Sequence, residues 1–253
     1  MKHYQKSIKN DFRLKNDDRI GVFEKEGAFL FMICDGIGGY EGGDQAASIV
    51  VRDFGENFQN KLTNFDFVFV QNWIDQVVAE TKKNIKKVAE NNPKLKNMGT
   101  TLSGLLLFVN QKTGVIFNCG DSRTYVLSNY KLVQATRDNN VMNKMIDEGF
   151  PEEVARNFLK SNYLTSAIGL NISAEIQCEE IVPEIYQKID KILITSDGIH
   201  DYIYHSEIQY IMNQDKEPKQ IVDQLIETAK LAHSTDNISA IVIQFGENHD
   251  KTK

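Results

Sequence analysis

The chain is poor in cysteine and proline. It has three cysteines, Cys34, Cys119 and Cys178, in 253 residues, an odd and sparse set that gives no disulfide framework. A reducing compartment, the cytoplasm, is the expected location. The four prolines, Pro93, Pro151, Pro183 and Pro218, fall where helices or strands begin or end, and no Pro/Gly/Ser linker, repeat or low-complexity stretch divides the chain. No apolar run approaches the ~20 residues of a membrane span, and no apolar segment follows the charged N-terminus as in a secretory signal. The formal charge of -6 argues against nucleic acid as a default partner. Five histidines show no zinc-binding spacing, no Gly-x-Ser-x-Gly elbow is present, and no arginine follows a cysteine at the offset a thiolate phosphatase needs.

Four aspartates lie at the ends of strand-like apolar runs or beside them: Asp35 after Phe29–Cys34, Asp121 after Cys119-Gly120, Asp197 after Ile192–Ser196, and Asp236 before Asn237-Ile238. A buried strand that runs into a carboxylate is costly unless the carboxylate is paired or holds a cation. Four such ends, far apart in sequence, point to one acidic pocket at the rim of a sheet, the hard-oxygen environment that Mg2+ or Mn2+ prefers.

Runs rich in β-branched and large apolar residues place strands at 19–24, 28–34, 101–110, 114–119, 124–127, 132–135, 191–195 and 237–245. Three-four spacing places long helices after Gly43, around Trp73 to Val88, and after Pro218, with shorter ones at 141–148 and 151–158. Strands come in neighbouring pairs, which favours antiparallel sheets flanked by helices. The turn Asp35-Gly36-Ile37-Gly38-Gly39-Tyr40-Glu41-Gly42-Gly43 opens a helix as a dinucleotide cradle would. Its glycine spacing breaks at Glu41, and no lysine followed by Ser or Thr closes it as a P-loop. His200, between Asp197 and Asp201, reads as a surface or packing residue, because Mg2+ and Mn2+ choose oxygen ligands.

In order along the chain stand Asn16-Asp17-Asp18, Asp35-Gly36-Ile37-Gly38-Gly39 with Ala46-Ala47-Ser48, Gly99-Thr100-Thr101, Gly120-Asp121-Ser122-Arg123, Ser196-Asp197-Gly198 with Asp201, and Asp236-Asn237-Ile238. Together they resemble the metal-dependent protein phosphatase family (PPM, protein phosphatase 2C type), in particular its compact bacterial members. The resemblance runs from Arg13 to about Phe245. It implies an α+β fold, a central β-sandwich of two antiparallel sheets with helix pairs on both faces (α-β-β-α), and a mobile flap at about 141–163, all within a single domain spanning 1–253.

The resemblance also implies roles. Asp35 would bridge two Mn2+ or Mg2+ ions, the Gly36 carbonyl would bind one of them, and Asp197 and Asp236 the other. Asp35, Asp197 and Asp236 are thus the catalytic acids, acting through an activated water. Asp18 would hold a metal-bound water from behind, Asp121 and Asp201 would form a third, weaker metal site, and Arg13 would clamp the substrate phosphate, a task suited to a forked guanidinium. The implied activity is hydrolysis of serine/threonine phosphoesters by a hydroxide bridging two cations, since metal binding lowers the pKa of water towards about 7.

Two departures stand out. Asp17 replaces a usual Glu, and Ile37 stands where some members carry a histidine acid, so a metal-bound water is expected to protonate the leaving oxygen. The expected partners are phosphorylated Ser/Thr proteins and a cognate Ser/Thr kinase in a signalling role, with no nucleic acid, no membrane and a monomeric state. The alternatives are a dedicated phosphatase of one regulatory phosphoprotein in a partner-switching pathway, and a catalytically dead binding module of the same fold.

Overall fold

The computed structural model describes residues 1–37 and 42–246. Strand β1 (Lys2–Ile8) precedes the hairpin β2 (Arg19–Lys25) and β3 (Ala28–Cys34), which runs on into the two-residue β4 (Gly36–Ile37). Two long helices follow, α1 (Gly43–Lys61) and α2 (Phe67–Asn91), then the short β5 (Gly99–Thr100). Next come β6 (Leu102–Phe108), β7 (Thr113–Cys119), β8 (Arg123–Ser128) and β9 (Lys131–Gln134). Short helices α3 (Val141–Asp147) and α4 (Glu152–Arg156) lead to β10 (Ile168–Gly169), β11 (Gln177–Ile181) and α5 (Pro183–Tyr186). The chain continues through β12 (Lys191–Thr195), α6 (Asp197–His200), α7 (His205–Met212), α8 (Pro218–Leu231) and β13 (Ile238–Gln244).

Ten of the strands build two five-stranded antiparallel sheets, in the orders β1-β13-β12-β8-β9 and β11-β7-β6-β3-β2. The remaining three, β10-β5-β4, form a small sheet. The strands β3, β6, β7, β12 and β13 are buried at nearly every position because both of their faces are covered. In β3, Phe31 and Ile33 point between the sheets, where they meet Leu105, Ile192, Ile194 and Ile241. Leu30, Met32 and Cys34 of the same strand point outward, under Phe54 of α1 and Trp73 and Ile74 of α2. The other sheet repeats the arrangement: Leu193 and Val242 face out against Ile221, Val222 and Leu225 of α8 and Ile208 of α7. The layers are therefore helix, sheet, sheet, helix, as expected for two sheets that must each bury both faces. Cys34 and Cys119 lie in this core as small apolar residues.

The expected strands are present with ends shifted by a residue or two, and so are the three long helices, the second extending beyond its apolar stripe to Phe67–Asn91. Strands β1 and β11 were not apparent from the sequence, and both are edge strands. β1 reads Lys-His-Tyr-Gln-Lys-Ser-Ile and pairs only with β13; β11 reads Gln-Cys-Glu-Glu-Ile and pairs only with β7. An edge strand with one wet face needs no apolar run, and its charges discourage pairing with another chain. In β1 these charges also tie the strand to α8, through Lys2–Glu217 at 2.6 Å and Lys6–Asp223 at 2.7 Å.

Residues 141–163, the expected flap, carry α3 and α4, and a bridge between Asn140 and Leu164 closes the base of the segment. Among the described residues, no helix is long and apolar enough to cross a membrane.

Candidate active site

The acids collect where the strands of the two sheets end. Asp35 leaves β3, and its peptide is fixed by threonines rather than by its own carboxylate. Its N–H donates to Thr101 Oγ1 at 3.0 Å, and its carbonyl accepts from Thr101 N at 2.8 Å and from Thr100 Oγ1 at 2.9 Å. Thr101 Oγ1 is in turn hydrogen-bonded to Ser122 Oγ at 2.7 Å. The carboxylate lines the cavity. The next residue must be glycine: a Cβ on Gly36 would lie 2.3 Å from the carbonyl carbon of Gly43 and 2.8 Å from the carbonyl oxygen of Asp17. Gly38 and Gly39, the rest of the glycine motif, lie outside the described residues.

Asp18 is buried behind this point. Its Oδ2 accepts from Ser196 Oγ at 2.8 Å and Ser239 Oγ at 2.6 Å, while its Oδ1 is buried with no protein partner. Burial pushes its pKa up to about 6, against the lowering effect of the two serines. Asp197 opens α6 directly after β12, and its Oδ1 is also buried without a partner. The backbone beyond it is wedged against the Asp236 segment. A Cβ on Gly198 would sit 2.0 Å from the carbonyl oxygen of Asn237, so only glycine lets the two acid-bearing loops come this close. Asp236 precedes β13; its Oδ1 accepts from Asn237 N at 2.7 Å, and its Oδ2 is ion-paired with Arg13. Arg13 Nε also donates to Thr235 O at 3.2 Å.

Asp35, Gly36, Asp121, Asp197, Asp236 and Arg13 all line one cavity of about 670 Å³. The acids repel one another across it. Burial holds the Asp35 carboxyl well above the usual carboxylate range, and the charges of Asp18, Asp197, Asp121 and Asp236 add to the effect. Asp197 is raised in the same way, by burial and then by Asp236, Asp121, Asp201 and Asp18. Asp121 is pushed up to about 7 by burial, then by Asp138 and Asp201. Asp201 stands one turn after Asp197, outside the cavity lining, and burial also raises its carboxyl while Arg123 opposes the shift.

Most of the expected site residues therefore converge on one space, with Asp18 behind it and Asp201 beside it. Among the described residues, no three His, Cys, Asp or Glu side chains close into a finished coordination cage. Bare carboxylates repel, and Arg13 holds one oxygen of Asp236. The donor set nevertheless fits a hard divalent cation: it offers carboxylate oxygens without histidine or thiolate, including a buried Asp197 oxygen that has no other partner.

Of the surface or packing role expected for His200, the structure shows packing. The residue is buried, its Nδ1 is 2.8 Å from Thr195 Oγ1, and a further hydrogen bond joins it to the backbone of Asp121. Burial, then Arg123, holds its pKa well below the ordinary range, so the ring is neutral. Sequence reasoning assigned no role to the residues that brace the acids: Thr100, Thr101, Ser122, Ser239 and the Arg123–Asp138 pair, which is doubly bonded from Nε at 2.9 Å and Nη2 at 2.6 Å. The available signal was adjacency, because each brace is a small hydroxyl or counter-charge within a motif that already carries an acid or ends a strand beside one. Asp138, 15 residues beyond Arg123, had no such signal.

The description protein phosphatase 2C matches residues 11–236 of the chain. The serine/threonine phosphatase stp of Listeria monocytogenes is 30% identical over 234 residues, covering 92% of this chain and 91% of that protein. The protein phosphatase PhpP of Streptococcus pneumoniae is 28% identical over 243 residues, covering 93% and 94%. The crystal structure of the serine/threonine phosphatase Stp1 from Staphylococcus aureus superposes with a TM-score of 0.85 at 26% identity, covering 97% of this chain and 95% of that one. A match over so much of the length, on the same layered fold, means that this chain belongs to the protein phosphatase 2C family.

Proposed function

We propose that the chain is a Mg2+- or Mn2+-dependent serine/threonine phosphoprotein phosphatase, with residues 1–253 acting as one catalytic domain. The observation that carries this reading is the convergence of Asp35, Asp121, Asp197 and Asp236 with Arg13 on one cavity, three of the acids held at raised pKa by burial and mutual repulsion. Nothing but cations or protons relieves such a cluster. The phosphatase names of the relatives support the substrate class.

Asp35, the Gly36 carbonyl, Asp197 and Asp236 would hold two ions, and Asp121 with Asp201 a third, weaker one. Bound divalent cations would supply an acidified water and neutralise phosphate charge. The chain's own residues do the rest. Ser196 and Ser239 fix one oxygen of Asp18, leaving the other as an acceptor aimed toward the cluster from behind. The threonine pair keeps the Asp35 peptide from shifting when its carboxylate is loaded. Arg13 exchanges Asp236 for phosphate oxygens, which its planar fork binds two at a time. Ile37 is a wall of the cavity and offers no proton, so the leaving oxygen takes its proton from water.

The test is turnover of a phosphothreonine peptide. Hydrolysis is expected with Mn2+ and is expected to stop with excess EDTA. Rates indifferent to EDTA would rule the reading out.

A further inference from the structure

The mouth of the cavity carries two apolar side chains that the chain holds out in water. Phe12 and Leu14 are 74% and 85% exposed, and both line the same cavity as the acids. They stand immediately before and after Arg13. Their exposure is built in. Buried Asn10 anchors the loop by donating from Nδ2 to Ser234 O at 2.7 Å, and its Oδ1 accepts from Phe12 N at 3.2 Å. Arg13 N closes the turn onto Asn10 O at 3.0 Å, and Lys9 Nζ donates to Arg13 O at 3.0 Å. A turn pinned at this many points is not free to fold its apolar residues inward. Ile37 and Leu164 add apolar surface to the same space. Exposed apolar groups fixed at the rim of a cavity lined by acids mark a contact surface.

We propose that this surface selects the substrate. The occupant is a phosphoserine or phosphothreonine segment with a bulky apolar residue within about two positions of the phosphorylated one. This rests on the phosphatase reading above and goes beyond it by naming the sequence around the phosphate. The spacing follows from chain geometry. Arg13, the phosphate clamp, lies between Phe12 and Leu14, and an extended peptide advances about 3.4 Å per residue, so side chains next to the phosphorylated one reach these two. An apolar neighbour gains by leaving water there, while a small or acidic neighbour gains nothing. Charge does not supply an alternative basis for selection at the rim, because Lys15, the other cation lining the cavity among the described residues, is already paired with Asp44 at 2.6 Å and Asp17 at 3.3 Å.

The test uses three phosphothreonine peptides that differ only in having Leu, Ala or Asp on both sides of the phosphorylated residue, with p-nitrophenyl phosphate as the small substrate. All are assayed with Mn2+ on the wild type, Phe12→Ala and Leu14→Ala. The wild type is expected to favour the Leu peptide over the other two by about tenfold in kcat/KM, mainly through KM. Each substitution should cut that preference severalfold and leave p-nitrophenyl phosphate turnover and the melting temperature nearly unchanged, since both side chains are exposed. Equal kcat/KM for the Leu and Ala peptides, or a preference that survives both substitutions, overturns the proposal. No turnover of any substrate with Mn2+ would instead overturn the phosphatase reading, and this inference with it.

Discussion

Asp35→Asn and Asp197→Asn are expected to lower kcat by about a thousandfold or more, the scale on which removal of a charge that stabilises the transition state acts. Neither change should unfold the protein. The bonds that hold Asp35 in place run to its backbone N–H and carbonyl, from Thr100 and Thr101, and survive the substitution. Asp197 has a buried oxygen without a protein partner, so replacing its carboxylate breaks no bond that the fold relies on. Each substitution also removes one charge from a cluster whose members repel. In EDTA at pH 8 both variants should therefore melt at or above the wild-type temperature. A residue kept for stability would show the reverse, with activity and melting temperature falling together. Wild-type turnover in either variant would contradict the proposed role of these acids.

The second large effect joins pH to metal. Asp18 at about 6, Asp121 at about 7, and Asp35 and Asp197, both held well above the ordinary carboxylate range, all lie above the ~3.9 of an aspartate in an unfolded chain. Between the unfolded and folded values, the folded chain binds more protons than the unfolded one, so stability falls as pH rises. The metal-free protein should thus lose stability steadily from about pH 4 to about pH 7. Mn2+ should reverse the trend, because it binds the deprotonated carboxylates. At a hundred times its dissociation constant it would add about 2.7 kcal/mol, or about 5–10 °C in melting temperature for a chain of this size. The rise should be larger at pH 8 than at pH 5. A melting temperature unmoved by Mn2+ at pH 8, or a metal-free protein that becomes more stable from pH 5 to pH 8, would contradict the clustering of the acids.

The layered fold was legible because its central strands are buried on both faces. Residues 28–34 are apolar at every position and 192–194 form a shorter apolar run, and such runs belong to covered strands or buried helices. The edge strands β1 and β11 were not legible, because charged and polar residues dominate them, whereas the opposite edges β2 and β9 keep enough β-branched and apolar residues to show. Helices α6 and α7 are too short to show a full three-four period, and α6 exists because Asp197-Gly198 must turn tightly away from β12. At the site, acids that end apolar strands were visible as an anomaly, since burial of a charge demands a reason. What braces them was not. Thr101 acts on a residue 66 positions away, and Ser239 on one 221 positions away, through single hydroxyls that have no pattern of their own. His200 packs inside, one of the two roles expected for it, and its partner was not legible: the hydrogen bond to Thr195 lies inside the strand-to-helix turn, which alternation and periodicity do not describe.

A crystal of the wild type soaked in Mn2+, with anomalous scattering measured at the manganese edge, tests the central claim most directly. The account predicts two strong peaks in the cavity within coordination distance of Asp35, Asp197 and Asp236, with Asp18 behind them and Arg13 moved off Asp236. Peaks elsewhere, or a cavity without anomalous signal at saturating Mn2+, would contradict it.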